Sequence, residues 1–263
     1  VLFIVLSEVL FLAAAQERFR DQQLSQARDL CQRGIEVYPE SGRLWELLGV
    51  VAWFQGDTTP CLNALERASV FVPLQPLAQL ALASAYALVD KPDLARTVYS
   101  HLATSPEFPV PLLPQLAAGL GRLREDAAAL MVCERLVELR PAYHPAWFGV
   151  AFYRQRLGEP IENVLASLEQ AHRLAPNART YRLNLAVCLA RLHRFAEAFS
   201  YIDEIPIAEI PHAAWLRQLR PLFVSLGDLA RVWECDERLR TLEQDNGPND
   251  GSCDGNCPCC HDD

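Results

Sequence analysis

Gly42-Arg-Leu-Trp45-Glu-Leu-Leu48-Gly49-Val-Val-Ala52-Trp-Phe-Gln-Gly56, followed by Cys61, Leu65, Ala68 and Pro73, is the stretch that decides the fold. Leu48 and Ala52 lie four apart and Leu65 and Ala68 three apart, the spacing that places side chains on one face of a helix. Gly49 has no side chain, so a second helix can approach closely there. Gly56 stands where the first helix must stop, and Pro73 ends the second. The stretch therefore reads as two helices joined by a short turn. The same marks return along the chain. Pro39 and Pro73 are 34 residues apart, Pro73 and Pro141 twice that, and Pro176 follows 35 later. Trp45 and Trp147 are 102 apart, as are Cys31 and Cys133, which is three periods. A 34-residue period is that of a helix-turn-helix array.

The stretch at 42–75 resembles a tetratricopeptide repeat, whose pattern is W-x2-L-G-x2-Y, then A-x3-F, then P. Trp45, Leu48, Gly49 and Pro73 match outright; Ala52 replaces the Tyr, Cys61 the Ala and Leu65 the Phe. The resemblance extends over repeats near 76–109 (Ala83, Tyr86, Ala95, Tyr99), 110–143 (Leu116, Ala117, Ala129, Cys133, Pro141), 144–178 (Trp147, Ala151, Gly158, Leu168, Ala171, Pro176) and 179–208 (Leu185, Ala186, Ala198, Ile202, Pro206). The repeat at 144–178 holds one extra residue between its helices. Two end repeats, 8–41 and 210–242, are degenerate, as expected of units with one neighbour. The resemblance implies an all-α, right-handed α-solenoid of about six to seven repeats over residues 1–243, with thirteen or fourteen helices and no sheet.

Composition agrees. The 263 residues are 51% apolar, enough for a large core. Apolar residues recur at three- and four-residue spacing, not in alternation. No glycine-rich phosphate loop, nucleophile elbow or metal-binding His pair is present, so the chain reads as no enzyme. His101, His144, His172, His193 and His212 are dispersed without a catalytic companion. A net charge of −9 argues against a nucleic-acid partner. Lys91 is the single lysine among 24 basic residues, an arginine bias that points to a GC-rich, bacterial coding sequence.

Two ends stand apart. Residues 1–15, Val-Leu-Phe-Ile-Val-Leu-Ser-Glu-Val-Leu-Phe-Leu-Ala-Ala-Ala, read either as an export signal or anchor, or as the first helix of a degenerate repeat. The absence of a positive leader, Glu8 in mid-run and Ala15 in phase with the repeats favour the second reading and a cytoplasmic protein. Residues 244–263 form a turn-rich acidic tail with five Asp and no Lys or Arg.

Nine cysteines form two groups. Cys31, Cys61, Cys133, Cys188 and Cys235 fall within predicted helices, as small packing residues in a reducing compartment. Cys253, Cys257, Cys259, Cys260 and His261 lie within nine residues of the tail, a ligand set for Zn or Cu(I). Cys257, Cys260 and His261 also match C-x-x-C-H, the pattern of covalent haem attachment. The tail offers no apolar pocket for haem. The repeats themselves imply no cofactor.

The resemblance further implies a binding groove along the first helix of each repeat. Its residues would be Val50, Trp53 and Phe54; Leu80, Ser84 and Leu88; Arg122; Phe148, Phe152 and Arg156; and Leu183, Val187 and Arg191. The groove would be apolar toward its N-terminal half, with an arginine row at 122, 156 and 191. Those arginines also suit helix C-termini, where a cation complements the dipole. Carboxylate-clamp members of the family need a basic residue and an Asn one turn apart, and here those slots hold Leu80 and Ser84, or Phe148 and Phe152. The expected function is a protein-interaction scaffold for a peptide or protein with apolar and acidic residues, with a metal-handling tail as the alternative.

Overall fold

The computed structural model describes residues 7–246 apart from Pro211, with side chains described to Glu243. Among the described residues there are fourteen α-helices, two short 310 turns and no strand. The helices follow the sequence repeats pair by pair: α1 (Glu8–Arg20) and α2 (Leu24–Val37), α3 (Gly42–Phe54) and α4 (Thr58–Phe71), α5 (Pro76–Leu88) and α6 (Pro92–Thr104), α7 (Leu113–Arg122) and α8 (Asp126–Leu139), α9 (His144–Arg156) and α10 (Ile161–Leu174), α11 (Arg179–Arg191) and α12 (Phe195–Ile202), α13 (Ala213–Ser225) and α14 (Leu229–Asn246). Odd-numbered helices are called A and even-numbered ones B below. The degenerate first repeat is a helix pair too: Phe11 and Ala15 of the apolar N-terminal run are buried, and Phe11 lies against Gly34 of α2. No helix among the described residues is long and apolar enough to cross a membrane.

One backbone device recurs at every A-to-B turn. The second residue after each A-helix has a left-handed conformation: Gln22, Gly56, Asp90, Arg124, Gly158, His193 and Gly227, with φ between 57° and 79°. The next residue donates its N–H back to a carbonyl five residues earlier, as in Asp57 to Ala52, Lys91 to Tyr86 and Arg194 to Leu189. This closure satisfies carbonyls that the helix end leaves open. Six B-helices start two residues after the left-handed residue. The exception is α10, which starts at Ile161, three after Gly158. The extra residue predicted in that repeat is therefore absorbed in the turn.

The chain divides into two compact bodies, at Ala128 and Ala129. In the N-terminal body, α3 contacts α1, α2, α4 and α5, and α5 contacts α6 and α7, so the A-helices form one layer. Val50, Ala52, Cys61, Leu65, Ala81 and Ala85 share a core there. At the α3–α4 crossing a Cβ on Gly49 would come within 2.5 Å of Leu65. The close approach read from the sequence is thus physical. In the C-terminal body, α9 packs on α10 and α11 on α12 and α13, around Leu168, Leu185, Leu189, Leu216 and Phe223.

The five cysteines of the helices are buried and form no disulfide. Burial pushes the Cys31 thiol up to about 12 and those of Cys61 and Cys188 to about 11. Cys235 rises to about 11, chiefly by burial with help from Asp236 and Glu234. Thiols held neutral in this way pack as small hydrophobes.

Candidate functional site

The repeat period places the last residue of each A-helix in one phase. Phe54 closes α3, Leu88 closes α5 and Arg122 closes α7, at 34-residue steps. These helices are neighbours in the N-terminal body, α3 with α5 and α5 with α7, so the three positions follow one another from helix to helix. Phe54 is 50% exposed and Leu88 68%, and Arg122 is exposed as well. Trp53 lies half-buried beside Phe54, its ring 5.1 Å away, and Phe19 of α1 meets Phe54 edge-on at 5.3 Å. The result is an aromatic shelf leading to an exposed leucine and then to a cation.

The Tyr99 side chain of α6 is 1% exposed, and its hydroxyl lies near Ser84 of α5 and Arg122 of α7. Burial raises the Tyr99 pKa, against the opposing pull of Arg122 and Ser84, so the ring stays a neutral phenol. Gly119 makes the space. A Cβ there would fall against the Tyr99 ring and 2.6 Å from its hydroxyl oxygen. In phase, Tyr99 corresponds to Leu65 of α4, which ends in the core and carries no polar tip.

Several other arginines are matched with carboxylates. Arg28 meets Asp57 at 2.5 Å, Arg96 meets Glu125 at 2.5 Å, Arg154 meets Glu134 at 2.8 Å, and Arg220 grips Asp236 through two nitrogens. Among the described residues, no carboxylate pairs with Arg122 or Arg191. In the C-terminal body, Arg191 ends α11 and is exposed, and Arg156 ends α9 with its guanidinium over the half-buried Phe152 ring, 5.4 Å from the centroid.

Five of the residues expected in the groove are not on a surface. Val50, Leu80, Phe148, Leu183 and Val187 are all buried. Val50 shares its core with Ala81 and Ala85 of the next A-helix, and Phe148 lies against the Tyr181 ring at 4.9 Å. Leu183 and Val187 belong with Leu216 and Leu219 of α13. These positions fill the seam between adjacent A-helices and cannot touch a partner. Phe54, Leu88, Arg122 and Arg191 stay exposed, with Trp53, Ser84, Phe152 and Arg156 half-buried at the surface. Tyr99 and Gly119 were not expected there. The expected metal ligands Cys253, Cys257, Cys259, Cys260 and His261 lie outside the described residues. Among the described residues, no cluster of His, Cys, Asp or Glu could hold a metal ion.

Comparison with known proteins gives a consistent account of the fold. No protein-family model matches the chain, and no curated protein matches it by sequence. Solved structures do. The C-terminal part of a tetratricopeptide repeat-containing protein from Cytophaga hutchinsonii is 10% identical with a TM-score of 0.64, covering 90% of this chain and 96% of its own. PilF of Pseudomonas aeruginosa is 18% identical with a TM-score of 0.62, covering 82% and 96%. YrrB, described as a tetratricopeptide repeat protein with an unusual peptide-binding site, is 14% identical with a TM-score of 0.57, covering 66% and 90%. The chain therefore has the tetratricopeptide-repeat fold, an all-α array of helix pairs.

Proposed function

We propose that the chain is a non-catalytic scaffold that holds a peptide or helix of a partner protein on the exposed ends of its A-helices. The observation that carries this reading is the row Phe54–Leu88–Arg122. It exposes an aromatic, an aliphatic and a cationic group in one repeat phase, and aromatic residues and Arg are enriched at protein interfaces. The peptide-binding site of YrrB, on the same fold, supports the reading by analogy. The partner surface would be apolar with acidic residues. Five buried cysteines with no disulfide among them suit a reducing, cytoplasmic setting.

The test is affinity capture with the intact chain and with Arg122, Arg156 and Arg191 together changed to Glu. The variant is expected to retain its helicity and to lose its partners. Equal capture by both proteins would remove the arginines from the mechanism.

A second reading concerns the tail. Because Cys31, Cys61, Cys133, Cys188 and Cys235 are all buried, any thiophilic ion would fall to Cys253, Cys257, Cys259, Cys260 and His261. Zn or Cu(I) titrated into reduced protein should bind the intact chain and not a chain ending at Gln244. Equal uptake by the two would move the site elsewhere, and a Soret band in purified protein would replace metal by haem.

A further inference from the structure

Going beyond the scaffold reading and independent of it, we propose that copies of this chain stack end to end. Trp233 of one copy packs on Val9, Leu10 and Ala13 of the next, and Glu237 pairs with Arg18 of that next copy. Trp233 is 64% exposed near the start of the last B-helix, six residues after the left-handed Gly227. The other residues in that phase are buried or engaged by the repeat that follows. Leu62 of α4 is buried in one core with Ala78, Ala81 and Leu82 of α5. Arg28 and Arg96 reach Asp57 and Glu125 in the next repeat's turn, and Arg231 lies over the Phe199 ring at 4.7 Å. Leu130 and, allowing for the extra residue, Leu165 are buried as well. Among the described residues, Trp233 has no following repeat to cover it. End repeats that stand alone in water carry polar outer faces, and this one presents a tryptophan.

The opposite end supplies the matching surface. The α5 residues that share a core with Leu62 stand twelve, nine and eight places before Asp90. The same places before Gln22 hold Leu10, Ala13 and Ala14 of α1. Ala78 is 1% exposed and Ala81 is buried, whereas Leu10 is 51% exposed and Ala13 is exposed too. Val9 is 71% exposed, in the phase of the Leu77 that packs against the α4–α5 core. Two large apolar side chains beside a small one make a seat for the flat face of an indole.

Charge selects the same pairing. Across the α4–α5 seam the Tyr86 hydroxyl donates to Glu66 at 3.1 Å, and across the α8–α9 seam Arg154 donates to Glu134 at 2.8 Å. Both acids stand ten residues after a left-handed residue, and both donors stand four before the next one. Glu237 stands ten after Gly227, and Arg18 four before Gln22. Within one chain their partners are local, Arg240 for Glu237 and Gln23 for Arg18. Stacked in the register of the internal seams, the two ends bring this acid to this cation. A contact of unlike faces leaves each copy an end for another, so association continues past the dimer, unlike a two-fold contact of α14 on α14.

The experiment is sedimentation of the full chain over a range of concentrations, with a thiol reductant and a chelator present so that the tail cysteines cannot link copies. The mean mass should rise with concentration past that of a dimer. Trp233→Ala and Leu10→Asp should each keep the helicity, since both side chains are exposed, and raise the dissociation constant by about tenfold or more. Mixed in equal amounts, the two variants should pair through their intact faces and stop at a dimer. Glu237→Arg should weaken association, and Arg18→Glu in the same chain should restore it. A natural chain that stays monomeric overturns the proposal. Association that survives both variants overturns it by handing the contact to another surface, the terminal segments included. Loss with Trp233→Ala but not with Leu10→Asp would mean a like-on-like contact of α14. Variants that are monomeric alone and fail to pair when mixed would mean that the two faces do not meet. Either of these last results overturns the proposal too.

Discussion

Leu65 and Tyr99 hold the same place in successive B-helices, and each presses on a glycine, but the two glycines do opposite work. At the α3–α4 crossing Gly49 lets Leu65 close a dry contact within one helix pair. At α7, Gly119 makes room for Tyr99 of the preceding pair, whose hydroxyl carries a polar group into the crossing, near Ser84 and Arg122. The first glycine makes packing; the second admits a polar group. A small residue at a helix crossing thus acquires its meaning from what fills the gap.

That contrast can be broken at several points. Gly49→Leu should have the largest effect, on the order of 3 kcal/mol of destabilisation, because Leu65 cannot move without unpacking α4. An unchanged denaturant midpoint would refute the close crossing. Gly119→Ala should cost about 1–2 kcal/mol in the natural chain. In a Tyr99→Leu background, which copies the Leu65 arrangement, it should cost much less. Equal costs in the two backgrounds would show that Gly119 does not serve Tyr99.

Cys31 is a third occupant of the same repeat position, with its pKa raised from 9.0 to about 12 by burial. A raised pKa means that the folded state favours the protonated thiol. Its contribution is complete below the unfolded value near 9 and is lost as pH rises toward 12. Melting followed against pH should show Cys31→Ala losing on the order of 1 kcal/mol less than the natural chain by about pH 10, the rest of the loss coming from Cys61, Cys188 and Cys235, which burial also raises. A Cys31→Ala curve that declines identically would assign the loss to other groups.

The smallest effect concerns the turns. Nothing lies within 4 Å of where a Cβ on Gly56 would stand, so Gly56→Ala should cost about 1 kcal/mol through its left-handed backbone alone. Arg124, strained in the same way, should gain about 0.5 kcal/mol on change to Gly, after the added entropy of the unfolded chain is deducted. Thermal melts of the pair with opposite signs are the expected result.

Helix pairing was legible in the sequence because Pro39, Pro73, Gly56 and the small residues at crossings mark local events at a fixed period. The turn at Arg124 was not legible as left-handed, since the usual signal is a glycine and none is there; its phase with Gly56 and Gly158 was the available clue. The groove was read by face, and three- and four-residue spacing cannot separate the strip that meets solvent from the flank that meets the next A-helix. Val50 and Leu183 fall on that flank. The contact between Tyr99 and Gly119 joins two repeats across twenty positions, beyond the range of any helical spacing rule. Its traces were a hydroxyl where Leu65 and Cys31 have none, and a glycine out of phase with Gly49.

The left-handed residue at each turn gives the chain a way to restart its count. Between Gly158 and Ile161 one more residue is present than in the other turns, yet His193 and Gly227 resume the 34-residue step afterwards. A gained codon is confined to the turn that received it and does not rotate the helices downstream. Copying errors of this kind are therefore edited by geometry, one turn at a time, and such an array can change length in its turns without losing frame.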